Sequence, residues 1–328
     1  MSSCLVMFSG GLDSVIATHI LQSQGLDVTA LHFVLPFESG IGKEHEAVRH
    51  FAEALNVPLR IEEEGAEILC MVKNPQFGYG RYANPCVDCR IHRLQKAKKI
   101  MDESGASFIA TGEVVGQRPM SQRRDSMFSV ERRSGLKGLL LRPLSARLLP
   151  PTTAERDGIV DREKLLAISG RGRKEQFAYA RKYGLIHATP AGGCLLTEQT
   201  TGRRFEDLRE NKADFDIVEF SLLAYGRHFR ISPSTRVVVG RDHRENEIMD
   251  KLVRTSDFRF QMADIEGPLG IANGDAAEQD IQIAAAVVAR YSKARNSKVA
   301  RVQIRHSDIN SVVEVTPADD KMCQNLRI

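Results

Sequence analysis

Short apolar runs alternate with stretches of helical period along the first half of the chain. Residues 5–8 and 28–34 are nearly continuous apolar runs, residues 58–61, 108–111 and 139–141 are shorter ones, and all five read as strands. Between them, residues 13–23, 43–55 and 89–103 repeat apolar side chains at helical spacing. Ala47, Val48, Phe51, Ala52 and Leu55 share one face of the second stretch, and Ile91, Leu94, Ala97 and Met101 share one face of the third. Alternating strands and helices predict an α/β fold on a parallel sheet with right-handed crossovers. Residues 62–85 break the rhythm. Turn residues recur from 74 to 85 with no period, which predicts a mobile loop delivering Cys86 to the rim of a site. Residues 163–184 read as helical again. Past residue 215 the pattern changes: 237–246 reads as strand, turn and helix, 279–293 as a long helix rich in alanine and valine, and 299–305 and 312–315 as closing strands. Two domains are expected, 1–214 and a smaller α+β domain over 215–328.

Composition adds where the charge sits. The chain has 328 residues and a net charge of only +4. Residues 211–328 hold 17 basic and 17 acidic side chains, so the whole excess belongs to the first part. Two segments are dense in cations. Arg118, Arg123, Arg124, Arg132, Arg133, Lys137, Arg142 and Arg147 face only Asp125 and Glu131 between 118 and 147, and residues 290–305 hold six basic side chains and no acid. Such segments suit a polyanion, with a plain solvated face as the other reading. No apolar run approaches the length of a membrane span and no signal-peptide pattern opens the chain, so a cytoplasmic protein without a membrane partner is expected. Six cysteines in that compartment argue for chemistry rather than a disulfide framework.

The most informative segment is Phe8-Ser9-Gly10-Gly11-Leu12-Asp13-Ser14, directly after the first strand and before the first helix. Two adjacent glycines let the backbone turn tightly so that several N–H groups converge on one anion, and the helix N-terminus adds partial positive charge. Ser9 and Ser14 add hydroxyl donors, and Asp13 is placed to hold a metal ion or to fix the loop. The lysine of a Walker A loop is missing, which excludes a kinase-type phosphate loop. In a parallel sheet, Thr111 and Gly112 at the end of the fourth strand fall beside this loop.

The Ser-Gly-Gly-x-Asp-Ser turn resembles the signature of the PP-loop ATP pyrophosphatases, which cleave ATP between the α- and β-phosphates and adenylate a carbonyl or carboxylate oxygen. The resemblance implies ATP and Mg2+ as ligands, held by Ser9, Gly10, Gly11, Leu12, Asp13, Ser14, His32, Thr111, Gly112 and Gln117. Thr111-Gly112-Glu113-Val114-Val115-Gly116-Gln117, followed by Ser121-Gln122, and Leu141-Arg142-Pro143-Leu144 are most similar to the tRNA 4-thiouridine synthetases. That narrower resemblance implies adenylation of a uridine carbonyl in tRNA and its replacement by sulfur, with Asp13, Cys86, Cys89 and Cys194 as catalytic residues. Cys86 and Cys89 form a C-x-x-C pair at a helix start, where the dipole and Arg90 and Arg93 are expected to lower the thiol pKa. Cys194 follows Pro190-Ala191-Gly192-Gly193, where that family carries a catalytic cysteine.

Three readings of the cysteines stand side by side. Cys86, Cys89 and Cys194 resemble the ligands of PP-loop thiolases that hold a [4Fe–4S] cluster with one open iron. They also suit persulfide chemistry on Cys194 with one of the pair as resolving thiol, or zinc completed by His92 or His187. A sulfur donor, either free sulfide or a cysteine desulfurase, is implied as a partner beside tRNA, and a homodimer is left open. The chain departs from the thiouridine synthetases in that its loop starts at residue 9, leaving no room for their N-terminal RNA-capturing domain. In its place, Val239-Gly240-Arg241-Asp242-His243-Arg244-Glu245-Asn246 and Asp264-Ile265-Glu266-Gly267-Pro268 resemble the RNA-binding region of NFACT proteins. The expected RNA contacts are Arg118, Arg123, Arg124, Arg241, Arg244, Lys293, Arg295 and Lys298. Two rivals remain: a PP-loop ligase or deazaguanine-type nitrile synthase with zinc-bound cysteines, and a non-catalytic RNA-binding module.

Overall fold

The computed structural model describes residues 2–36, 43–189, 194–273 and 275–328. They divide into two compact units, Met1–Gly193 and Cys194–Ile328.

The first unit is built on a parallel sheet. Its elements run β1 (Ser3–Met7), α1 (Leu12–Gln22), β2 (Asp27–Val34), α2 (Lys43–Ala54), β3 (Leu59–Glu63), α3 (Glu67–Lys73), α4 (Cys86–Ser104), β4 (Phe108–Thr111), α5 (Arg124–Arg133), β5 (Leu140–Leu141), α6 (Thr153–Arg156) and α7 (Lys174–Lys182). The strand order is β3-β2-β1-β4-β5, with every neighbouring pair parallel. Both faces of the sheet are covered. Val6, Ala30, Phe108 and Ala110 pack under α1, α2 and α7, while Leu5, Leu31, Ile109 and Leu140 pack under α4 and α5. Strands buried on both faces read as unbroken apolar runs, which is why they were legible. The chain reverses direction across the sheet between β1 and β4, and ligands of such sheets sit at the carboxyl ends of the strands there.

Two expectations are corrected in this unit. Residues 163–184 are not one helix. Leu166 and Ile168 donate their backbone N–H groups to Pro143 and Leu144 at 2.9 and 2.8 Å instead of to a helical turn, and only Lys174–Lys182 is helical. The apolar side chains there sit in the core from extended backbone, so their spacing imitated a helix. The stretch 74–85 is held rather than loose. Asp88 is 8 % exposed and accepts from the N–H groups of Gln76 and Phe77 at 2.9 and 3.1 Å. The Arg133 guanidinium lies 4.9 Å from the centre of the Phe77 ring, so that aromatic packs locally.

The second unit contains α8 (Gln199–Asn211), α9 (Ile217–Ser221), β6 (Arg227–Arg230), β7 (Arg236–Val239), α10 (His243–Leu252), β8 (Phe258–Met262), β9 (Gly270–Ala272), α11 (Glu278–Arg290), β10 (Ala300–His306), β11 (Ile309–Val315) and α12 (Asp320–Leu326). Its six strands are ordered β11-β10-β8-β9-β7-β6 and pair antiparallel. Val237, Val239, Phe260 and Val302 face α11 through Ala284, Ala285 and Val288. The unit begins 21 residues before the boundary expected at 215. Phe205 of α8 packs edge-on against Phe215 and Phe220, and Arg204 donates to the carbonyls of Leu223 and Gly226 at 2.8 Å. Each such buried phenyl contributes about 1.5–3 kcal/mol, which ties α8 to α9 and the second sheet.

His228 gives this unit a pH dependence. It is 1 % exposed, and its Nε2 donates to the Tyr225 and Leu222 carbonyls at 2.8 and 3.1 Å. Burial, then Arg204 and Arg236, hold its pKa well below 6.5. The unfolded chain therefore binds a proton that the folded chain refuses, and stability falls as pH drops below 6.5, by up to about 1.4 kcal/mol per pH unit from this group. Urea midpoints measured between pH 8 and 5 should fall accordingly in the wild type and more shallowly in His228→Gln. Parallel profiles would count against it.

Candidate functional site

The turn after β1 is shaped by one glycine conformation and two serines. Gly10 has φ +69°, and a side chain there would press on the Phe51 ring at 2.6 Å. Ser14 Oγ donates to the Gly11 carbonyl at 2.8 Å, accepts from the Ser9 N–H at 3.3 Å and lies 3.3 Å from Ser9 Oγ. The loop thus closes on itself with the first-turn N–H groups of α1 left for an external acceptor. The end of β4 presses against it. A Cβ on Gly112 would lie 2.6 Å from the Asp13 carbonyl carbon and 2.7 Å from Ser14 N. Gln117 Nε2 donates to Asp13 Oδ2 at 2.9 Å, while Asp13 Oδ1 and Gln117 Oε1 are buried with no partner among the described residues. An acceptor carboxylate with one oxygen anchored and the other unclaimed fits a hard cation such as Mg2+. His32, on β2, is turned by a hydrogen bond between its Nδ1 and the Phe8 carbonyl at 2.8 Å. Thr111 is 1 % exposed, and its Oγ1 donates to Glu113 Oε2 at 3.2 Å.

Two neighbours of this site had no clear signal in the sequence. Ala188 donates its N–H to the Gly10 carbonyl at 2.8 Å and bridges Gly11 in parallel, so the segment before Pro190 lies against the loop. Glu113 is 2 % exposed and sits between Arg90 Nε at 3.2 Å and Arg142 Nε at 3.1 Å. Arg142 is itself buried and also pairs with Glu131 at 2.9 Å, so it is not a surface cation. Burial alone would raise the Glu113 carboxyl, but Arg90 and Arg142 together outweigh it and hold the group below the usual carboxylate range.

The cysteines differ from expectation. Cys86 and Cys89 do open α4, and Asn84 Nδ2 donates to Cys86 Sγ at 3.3 Å. The Cys89 thiol is raised rather than lowered: burial pushes it up, and Arg93 and Arg90 offset only part of that. Beside it Glu64, 3 % exposed, takes both Arg93 donors on Oε2 at 2.9 and 2.7 Å, and His92 Nε2 lies 3.6 Å from Glu64 Oε1. Cys194 is half-buried at the start of a short 3₁₀ turn, where its carbonyl accepts from Thr197 Oγ1 at 2.6 Å. Pro190, Ala191, Gly192 and Gly193 lie outside the described residues. Among the described residues, no group of three or more His, Cys, Asp or Glu side chains is gathered to hold a metal. The expected cluster on Cys86, Cys89 and Cys194, and its zinc counterpart, therefore have no support among the described residues.

Residues 2–133 match the family model of the tRNA methyl transferase HUP domain, and residues 226–327 match that of the NFACT protein RNA binding domain. Each match covers less than half of the chain. It is 32% identical over 123 residues to the tRNA-specific 2-thiouridylase MnmA of Trichlorobacter lovleyi, over 35% of this chain and 34% of that one. It is 34% identical over 126 residues to the enzyme of the same name from Thiobacillus denitrificans, over 34% of each chain. The matched stretch thus spans about a third of the length of these curated relatives. A solved 4-thiouridine synthetase–RNA complex with bound ATP is similar at 23% identity and a TM-score of 0.39, over 56% of this chain and 41% of that one.

The second unit presents an open cleft of roughly 1110 Å³ lined by Arg227, Arg241, His243, Tyr291, Lys293 and Arg295. The Arg227 guanidinium lies 4.7 Å from the centre of the Tyr291 ring. Acids from elsewhere in the chain temper the 290–305 segment: Lys293 reaches Glu266 at 3.3 Å and Arg290 pairs with Asp320. Arg241 Nε reaches Glu245 at 2.7 Å. Arg244, Arg295 and Lys298 are exposed on the second unit, and Arg118, Arg123 and Arg124 are exposed on the first.

Proposed function

We propose that this chain is an ATP-dependent tRNA thiolation enzyme. The observation that carries the reading is one chain that couples the loop of residues 9–14, with Asp13 and Gly112 at the β1–β4 reversal, to an NFACT-type domain with a basic, aromatic-lined cleft. The loop amides and the α1 N-terminus bind the β- and γ-phosphates of ATP and stabilise the leaving pyrophosphate. Asp13 would hold Mg2+, which would supply charge neutralisation there. A uridine carbonyl oxygen attacks the α-phosphorus, which turns a poor leaving group into adenylate. The base must leave its stack to arrive, and the cleft and the exposed arginines hold the flanking phosphates and bases.

The sulfur step is read here as cysteine persulfide chemistry. The terminal sulfur of a persulfide on Cys194, loaded by a desulfurase or by sulfide plus an oxidant, attacks the activated carbon and AMP departs. A thiolate of the Cys86/Cys89 pair then attacks Cys194 Sγ. The S–S bond breaks toward the base, which leaves as the thiocarbonyl, and the new cysteine disulfide is reset by a dithiol reductant.

Nucleoside mass spectrometry of tRNA from cells lacking this chain tests the reading. One thiolated uridine should disappear and return with the wild-type chain. An unchanged set of thiouridines would overturn it.

A further inference from the structure

We propose that the NFACT-type domain binds a small phosphate-class oxyanion in a second, separate cavity, through Arg236. This site is independent of the thiolation reading. The cavity, about 240 Å³, lies on the sheet face away from α11, toward α8 and α9, and its lining includes Lys212, Glu219, Arg230, Arg236, Arg254 and Asp257. Alternation along β7 explains how Arg236 gets there: Val237 and Val239 point into the α11 core, so Arg236 and Val238 point the other way.

Its neighbours are already satisfied. Arg230 grips Asp207 through Nε at 3.0 Å and Nη2 at 2.5 Å. Arg254 grips Asp257 at 2.9 and 2.8 Å and also reaches Asp216. Lys212 reaches Glu219 at 3.1 Å. Arg236 differs. It is 7 % exposed, its backbone N–H is fixed on Asn273 Oδ1 at 3.0 Å, and its Nη2 makes one long contact to the Glu219 carbonyl at 3.4 Å. Among the described residues it has no ion-pair partner, and its Nη1 is buried without an acceptor. A buried charged donor left unmet is costly, on the order of 1–3 kcal/mol or more.

Size and geometry restrict what meets it. A cavity several times the roughly 30 Å³ share of one water admits a tetrahedral oxyanion and a few waters, and no whole nucleotide. Nη2 has turned one N–H to the Glu219 carbonyl, so Nη1 is the donor with no acceptor among the described residues. A tetrahedral oxyanion takes single donors from several directions, and here the one left unmet is Nη1. The same chemistry is carried by inorganic phosphate and by a terminal phosphate of RNA.

Backbone ¹⁵N NMR of the full chain decides. Inorganic phosphate titrated at constant ionic strength should shift the amides of Arg236, Ser234 and Asn273 saturably. That response should weaken at least about tenfold in Arg236→Met and less in Arg236→Lys, while Asp13→Ala leaves it intact. A response to 5′-phosphorylated but not 5′-hydroxyl trinucleotide assigns the ligand to an RNA end. A response to inorganic phosphate alone assigns it to the free ion. No saturable shift from either probe, or an equal shift in a folded Arg236 variant, overturns the proposal. Should Arg236→Met fail to fold, the wild-type titration and Arg236→Lys still decide it.

Discussion

Gly112→Ala is expected to lower ATP-dependent turnover by at least about a hundredfold, because it displaces the nucleotide loop by a fraction of an ångström to an ångström. The added Cβ would meet the Asp13 carbonyl carbon at 2.6 Å, its oxygen at 2.7 Å and Ser14 N at 2.7 Å. All three are backbone atoms, so no flexible side chain can swing aside. Either the end of β4 or the start of α1 must shift, and both carry residues of the same site. Asp13→Ala provides the control. It removes the carboxylate that Gln117 holds but adds no atom, so it should lose turnover to a similar or greater degree with unfolding stability changed by only about 1 kcal/mol. ATP–pyrophosphate exchange measured beside urea unfolding separates the two: Gly112→Ala loses on both scales and Asp13→Ala on one. Wild-type exchange in Gly112→Ala would sink the assignment of this turn as the nucleotide site.

Legibility in the sequence depends on which interactions are local. The five parallel strands could be read because both faces of the sheet are buried, so each strand is written as an apolar run. The loop of residues 9–14 could be read because its requirements, a glycine at positive φ and hydroxyls near a helix start, fall within six residues. What was missed is carried by partners distant in sequence. Ala188 meets Gly10 across 178 residues, and Arg142 loses its surface role to Glu113 and Glu131. The segment 290–305 contains no acid, yet Arg290 finds Asp320 at the start of α12, and Lys293 and Arg301 find Glu266 and Asp264 in the loop after β8. The Cys89 thiol obeys the same rule. Its helix position and nearby arginines predicted a lowered pKa, and burial, which no local pattern displays, reversed the sign. Residues 163–184 failed for the opposite reason, since a core-facing extended chain happened to repeat at helical spacing.

The buried clamp on Glu113 sets the second large effect. Its carboxylate accepts from Arg142 at 3.1 Å, lies 3.2 Å from Arg90, and takes the Thr111 hydroxyl at 3.2 Å. It thus ties three pieces together: the 141–144 segment, the end of β4 beside Asp13, and the first turns of α4 that carry Cys86 and Cys89. Removing one member of a buried ion cluster leaves charge uncompensated, and Glu113→Ala is expected to cost about 3–5 kcal/mol. Glu131 still holds Arg142, which places the value toward the lower end. A drop in the urea midpoint at unchanged slope reads this directly. Pairing Glu113→Ala with Arg142→Met should recover part of the loss, because the orphaned cation goes with its partner. The pH profile carries the sign. A carboxyl held below its usual range stabilises the fold above about pH 4.5 and loses that contribution as pH falls toward its depressed folded value, so acid unfolding should begin at higher pH once Glu113 is gone. Glu113→Gln separates charge from shape: it keeps the hydrogen bonds that an amide oxygen can accept, and should retain the position of α4 better than alanine while losing the acid-limb dependence. Equal midpoints for wild type, Glu113→Gln and Glu113→Ala would mean that the clamp does not hold the cysteine helix to the nucleotide loop.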